Sequence, residues 1–323
     1  MYMKQKYKRK YTSLSLWEYT QQRIQLKQQL GKASTAELYQ VTISHFLKFV
    51  GNPRFCIRDL SRTLVADFVT YLQNRKLATN SINTYLSNLR AIYNAACQDE
   101  LLCSSQYPFK NLKLRRAVTA KRSIPIAAIQ KMATFRVGSF KEELALDLCL
   151  FSFLACGMPF VDMAYLTTRN IHNNELVYHR HKTGTLIRLE ITTGMWQLIH
   201  KYAPTDRKRI YLFPILPTET PNYKQYKGCL ASHNRCLKEI GNKLHLSQKF
   251  TSYVLRHSWA SVALQHDIPV AVISKALGHT SEKTTRCYLS ELDISELVRA
   301  NQKVSGVIDC LLAKKWKSSK PYL

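Results

Sequence analysis

The sequence predicts a mainly α-helical chain with a small antiparallel β-sheet, arranged as two domains. Three observations carry this. Apolar residues recur at 3- and 4-residue steps through most of the chain, two short alternating segments flank a glycine turn, and a basic stretch without acidic residues divides a front helical block from a longer rear block. With 323 residues, 46% of them apolar, the chain can bury about two cores.

After a basic tail (1–12), the front block (13–106) reads as four helices. Ser13 to Leu30 is amphipathic, with Leu14, Trp17 and Ile24 at helical spacing and Gly31 placed to cap its end. Ser34 and Glu37 have the S-x-x-E form of a capping box, opening a helix that carries Leu38, Val41 and Phe46 until Gly51-Asn52-Pro53. A third helix, Thr63 to Arg75, is expected to bury Leu64, Phe68 and Tyr71. A fourth starts near Thr79 and repeats Ile82, Tyr85, Leu86, Leu89, Ile92, Tyr93 and Ala96. The aromatic residues of this block are expected in its core.

The stretch 107–124 holds Lys110, Lys113, Arg115, Arg116, Lys121 and Arg122 and no acidic residue, which suits a strap across a phosphate backbone. The rear block (125–323) opens with helices at Ile126 to Phe135 and Lys141 to Leu154. Leu176 to Arg180 and Leu186 to Leu189 then flank His181-Lys182-Thr183-Gly184, a hairpin with Lys182 at its tip. A short strand is expected at Ile210 to Phe213 before Pro214. From Lys224 the pattern is helical, with breaks near Leu246 to Thr251, Pro269 and Gly278.

Charge narrows the function. Against 21 Asp and Glu stand 48 Lys and Arg, a formal net charge of +27, so the natural counter-surface is a polyanion: DNA, RNA or anionic lipid. The longest apolar stretch, Leu144 to Leu166, is interrupted by Asp147, Pro159 and Asp162 and falls short of the roughly 18 uninterrupted apolar residues of a membrane span. The N-terminus lacks the apolar run of a secretory signal, so a cytoplasmic protein is expected. The nine cysteines show neither C-x-x-C pairs nor a Cys/His ligand cluster, and no glycine-rich phosphate loop is present. No metal or other cofactor is expected.

Three separated strings of the rear block matter together: Tyr253-Val254-Leu255-Arg256-His257-Ser258-Trp259-Ala260; Leu277-Gly278-His279, its His 23 positions after Arg256; and Thr284-Thr285-Arg286-Cys287-Tyr288, its Tyr nine positions after His279. Their spacing resembles the signature of the tyrosine recombinase (phage integrase) family. The resemblance spans about Ser13 to Ala313 and implies a four-helix SAM-like core-binding domain plus a tyrosine-recombinase catalytic domain. It is closest to Bacteroides-group mobile-element integrases, whose strings are echoed by Gly157 to Leu166 and Tyr253 to Ser261. The family's large arm-binding domain has no counterpart, so the simpler two-domain form is expected.

The resemblance implies a site-specific recombinase acting on double-stranded DNA through a 3′-phosphotyrosyl link. Tyr288 would be the nucleophile and Arg256 the phosphate clamp. His279 would be a donor to a phosphate oxygen, Lys182 the general acid, and His257 a residue orienting the nucleophile or the phosphate. A dimer on each site, a tetramer in synapsis and a DNA-bending accessory protein are the implied partners, and the bacterial nucleoid the implied location. Bond energy kept in a phosphotyrosine removes any need for ATP or metal.

Two positions depart from the family pattern. Tyr253 stands where a His or Lys precedes the arginine by three residues. More seriously, no arginine lies between Arg136 and Arg169, where the family places its first one; Cys156 and Pro159 occupy the flanking positions. Cys156 is thus a weakened substrate contact, an engineered change, or a loss rescued by a cation from elsewhere. Beside the recombinase stand two other readings: a relative that binds DNA without cutting it, and a topoisomerase of the type IB kind sharing the tyrosine chemistry.

Overall fold

The structure is a computed structural model describing residues 15–102, 107–110, 112, 117, 123–203 and 209–288, with the backbone alone at 287 and 288. The chain divides into two compact units, Met1–Ala120 and Lys121–Leu323.

In the first unit, α1 (Leu16–Gln29) starts from a reciprocal cap: Ser15 Oγ accepts from the Glu18 N–H, and the Glu18 carboxylate accepts from the Ser15 N–H. That device was expected at Ser34, but α2 (Ala33–Val50) begins earlier, at Lys32, with no side-chain cap. Gly31, at φ 70°, turns the chain so tightly that the next helix is under way before Ser34. The buried stripe is Leu16, Tyr19, Thr20 and Ile24 on α1, and Ala36, Tyr39, Ile43 and Phe46 on α2. Trp17, Leu38 and Val41, expected inside, are exposed. Trp17 and Leu38 each lie one step from a better-placed apolar or aromatic neighbour, and Val41 lies one step from the buried Thr42, so spacing identified the helices but not their phase.

The third helix, α3 (Arg62–Asn74), buries Val65, Phe68 and Leu72, while α4 (Thr79–Gln98) buries the predicted series from Ile82 to Ala96, with Tyr85 half-buried. Phe46 meets Phe55 and Phe68 edge-on at 5.5 and 5.1 Å, and Tyr93 packs on Tyr107 and Phe109. These aromatic rings are core, as expected, and the beginning of the basic stretch is anchored to the first unit through them.

The second unit contains α5 (Ile126–Thr134), α6 (Phe140–Leu154), α7 (Phe160–Ala164), α8 (Thr193–Tyr202), α9 (Tyr223–Lys243), α10 (Val254–Gln265), α11 (Val270–Ala276) and α12 (Glu282–Tyr288). Its antiparallel sheet has the order β1 (Ile171–His172), β2 (Glu175–His179), β3 (Leu186–Glu190), with Glu175 opposite Glu190 and His179 opposite Leu186. Helix α6 is apolar on both flanks. Leu148 and Phe151 join the sheet residues Leu176, Tyr178 and Ile187 in one core, and Leu146 and Cys149 join Leu237, Ile240 and Leu255 in another. The strand expected at Ile210 to Phe213 does not form. Tyr211 makes only an isolated bridge to Thr167, and Pro214, lacking an N–H, cannot extend a ladder. Among the described residues no helix is long and apolar enough to cross a membrane, no group of three or more metal-ligating side chains gathers, and six cysteines are free thiols.

Candidate active site

The site is built on two sharp bends and one inward-pointing arginine. Arg256 lies in the first turn of α10, yet only 2% of it is exposed. A buried guanidinium needs acceptors on several sides. Its Nη1 donates to Gly157 O at 2.9 Å, its Nη2 donates to Leu277 O, and the same Nη2 lies 3.2 Å from His279 Nε2. Gly157 follows α6 in a turn where Cys156 and Gly157 both have positive φ, 55° and 71°. A Cβ on Gly157 would sit 2.8 Å from Arg256 Cα, so the close approach of these two backbones requires glycine.

His279 links this arginine to the tyrosine-bearing helix. Its Nδ1 is 2.9 Å from Oγ1 of Thr285, a fully buried residue of α12. With Arg256 donating to Nε2, the hydrogen belongs on Nδ1, which donates to the threonine hydroxyl. Burial first, then the positive charges of Arg256, Arg180, Lys182 and His257, push its pKa down to about 4, so the ring is neutral at pH 7. Tyr288 is the last residue of α12, three positions after Thr285.

Lys182 is exposed in the β2–β3 turn. Three contacts hold that turn down: the His181 N–H donates to Asp162 Oδ1 at 2.8 Å, Thr183 Oγ1 to Gly278 O at 3.3 Å, and Arg180 Nη1 to Gly278 O at 3.0 Å. Arg180 is only 6% exposed, and its Nε is buried without an acceptor among the described residues. Gly278 thus receives Arg180 while its neighbours Leu277 and His279 meet Arg256, which brings two guanidinium groups, an imidazole and the lysine turn to one bend. Such a cluster suits an anion with several oxygens. Burial raises the pKa of Asp162, opposed by its bond from His181 and by Arg180.

Sequence reasoning missed Arg180 and Asp162. A signal existed for the first: Leu176, Tyr178 and Arg180 alternate along β2 and the residue that follows it, and an arginine on the inward register breaks the usual distribution of charge. Cys156 lies beside Gly157, and burial raises its thiol to about 11 even though Arg256 opposes this, so it carries no charge. Tyr253 immediately precedes α10, 40% exposed, with its ring edge-on to His257 at 4.9 Å. Lys110 is exposed; Lys113, Arg115, Arg116, Lys121 and Arg122 lie outside the described residues.

One buried histidine, His233, and one half-buried, His279, should make stability fall in acid. Burial holds His233 at about 3, against 6.5 for a free imidazole. Below pH 6.5 the unfolded chain therefore binds protons that the fold refuses, and stability drops as pH falls through this window. Going from pH 6.5 to 4, His233 should cost about 3 kcal/mol, and the half-buried His279 less. Urea midpoints of the native chain should fall more steeply between pH 7 and 4.5 than those of His233→Phe, and parallel curves would refute this.

The fold and this cluster define a two-domain, mainly helical protein with a cationic pocket tied to a tyrosine helix. A model of the phage integrase family matches residues 126–293, and one of the phage integrase SAM-like domain matches residues 15–114. The first of these spans 168 of the 323 residues, and the chain belongs to the phage integrase family. It is similar to a tyrosine recombinase of Pseudothermotoga lettingae, 22% identical over 271 residues that cover 80% of this chain and 88% of that protein. The tyrosine recombinase XerA of Pyrococcus furiosus is 25% identical over 261 residues, covering 80% and 84%. The fold resembles the Tn1549 transposon integrase in complex with a circular intermediate DNA, with TM-score 0.62 and 13% identity over 90% of this chain and 99% of that one. It also resembles a lambda integrase dimer bound to a core site, with TM-score 0.58 and 14% identity over 85% and 77%.

Proposed function

We propose that this chain is a site-specific recombinase that cuts and rejoins double-stranded DNA through a 3′-phosphotyrosyl intermediate on Tyr288. The observation that carries this is the chain of contacts from Gly157 through Arg256 and His279 to Thr285, which ties a cationic pocket to the helix ending in Tyr288. In the reaction the Tyr288 hydroxyl releases its proton to water as its oxygen bonds to phosphorus, the bond from phosphorus to the 5′ oxygen breaks, and Lys182 gives that oxygen its proton. Arg256 holds the charge that spreads over the non-bridging oxygens. A bound phosphate brings negative charge beside His279 and favours its charged, donating form.

Arg180 takes the place of the arginine missing near Cys156. It comes from the hairpin instead of the turn after α6, but it reaches the same bend as Arg256 and His279. A rescued clamp favours the cutting enzyme over the binding-only relative, whose motive was the missing charge. The front helical block (13–106) and the basic stretch (107–124) grip the duplex, and residues 125–323 form the catalytic domain, with Tyr253 and His257 beside the phosphate. We place the chain among Bacteroides-group mobile-element integrases, working as a dimer on each site and a tetramer in synapsis, with a DNA-bending helper, in the cytoplasm at the nucleoid.

The test is covalent capture. A nicked, fragmented pool of DNA from around the gene is incubated with the protein, and the DNA that stays attached after denaturation is sequenced. The native chain should retain one recurrent sequence and Tyr288→Phe none, while both shift the same duplex in a salt-sensitive binding assay. Equal recovery from the two proteins would remove Tyr288 as the nucleophile.

A further inference from the structure

The basic stretch is pinned in each unit separately. In the first, the side-chain amide of Asn80 meets the backbone of Ala117 twice: Nδ2 donates to Ala117 O at 3.0 Å, and Oδ1 accepts from the Ala117 N–H at 3.1 Å. In the second, the stretch ends on α10, the helix that carries Arg256. The Ile124 N–H donates to Ser258 Oγ at 2.9 Å, and Gln248 Nε2, from the segment before α10, donates to Ser123 O. Between the two anchors stand residues 118–122, which include Lys121 and Arg122.

The contact at Ser258 is buried and its hydroxyl is used in both directions. Ser258 is 0% exposed and Ile124 4%, and the Ile124 side chain packs in one core with Val254, Leu255 and Phe250. While accepting from Ile124, the hydroxyl donates to Val254 O one turn back at 2.9 Å. A polar side chain with no access to water is held in place by its partners, and here one of them comes from 134 residues away.

Ser258 follows Arg256 by two positions, about 200° around the helix, so the two side chains leave opposite sides of α10. On one side the guanidinium rests on Gly157 O and Leu277 O. On the other, the end of the basic stretch holds the same helical turn. The seat of Arg256 is therefore set from both sides, and a shift of the strap's end reaches the guanidinium through less than one turn of helix.

We propose that Ser258 is a positioning residue for DNA cleavage: it splices the end of the basic strap to the Arg256 helix, so that DNA gripped by the strap meets the guanidinium in fixed register. The assignment rests on the recombinase reading of the same site. Ser258 itself touches no DNA and acts through Arg256.

The test separates rate from grip in the full-length chain, on the duplex recovered by covalent capture. Ser258→Ala should slow adduct formation at saturating DNA by at least about tenfold, since a clamp displaced by about 1 Å can lose about 10². DNA affinity and its salt dependence should stay within about twofold of native, because the strap's cations are untouched. Ser258→Thr keeps a hydroxyl that can still bond the carbonyl one turn back, and it should restore the rate to within about threefold. Gln248→Met removes the second tie from a half-buried position; it should slow the adduct by roughly three- to tenfold, and it carries the test if Ser258→Ala does not fold. A native rate in Ser258→Ala, or in Gln248→Met where it stands in, would overturn the proposal and leave the recombinase reading intact. So would a slow Ser258→Thr with a native melting curve, or a loss of affinity as large as the loss of rate. No adduct from the native chain on any duplex would remove the reading and the proposal together.

Discussion

Arg180→Ala should slow formation of the covalent protein–DNA adduct by about 10² to 10³, the usual loss when one charge-stabilising donor leaves a preorganised site. DNA affinity should change by only a few-fold, because most of the grip comes from the many other cations of a chain with net charge +27. Arg180→Lys should not restore the rate. Lysine keeps the charge but has no planar fork, and it would have to give up either Gly278 O or the phosphate. Cys156 supplies the second half of the experiment. Its φ of 55° is strained for any side chain with a Cβ, so an arginine there bears no more backbone strain than the cysteine does. In the native background Cys156→Arg should leave the rate within a few-fold, since the clamp is already filled; in Arg180→Ala it should recover at least about tenfold. A native rate in Arg180→Ala would show that Arg180 is not the second clamp, and no adduct from the native chain itself would return the binding-only reading.

How much of this was legible in advance follows a physical division. Helices announced themselves because their buried faces repeat locally: α4 shows its inner face from Ile82 to Ala96 in the sequence itself. Phase was harder, since Trp17 and Leu38 are as apolar as the residues beside them that turned inward, and only the neighbouring helix decides between adjacent faces. The strand expected at Ile210 failed for a related reason: its alternation was adequate, but a strand needs a partner edge, and Tyr211 finds a single bridge. At the site, spacing marked Arg256, His279 and Tyr288. It did not mark Arg180, whose alternation with Leu176 and Tyr178 was the local hint, or Asp162; both matter because a hairpin folds back over the bend at Gly278, 98 residues after Arg180.

Gly157→Ala should combine a fall in stability with near-complete loss of cleavage. The new methyl carbon would lie 2.8 Å from Arg256 Cα and 3.2 Å from its Cβ and Cγ, against backbone that cannot rotate away. The φ of 71° adds left-handed strain of about 1 kcal/mol. Relief requires the two turns to separate, which draws Gly157 O off Arg256 Nη1 and leaves a buried cation short of an acceptor, about 1 to 3 kcal/mol more. Together these should lower the unfolding midpoint by about 5 to 10 °C. The shift reaches the chemistry through the same bond, since a displacement of about 1 Å in a clamp can cost about 10² in rate. Gly51→Ala separates strain from contact: its φ is 70° but nothing lies within 4 Å of the added carbon. It should show only the strain, about 1 kcal/mol, and cut DNA at the native rate. If the two variants lose stability equally, or if Gly157→Ala still forms the adduct at the native rate, then Arg256 is not held by that turn, and the contact at Gly157 is incidental to the pocket.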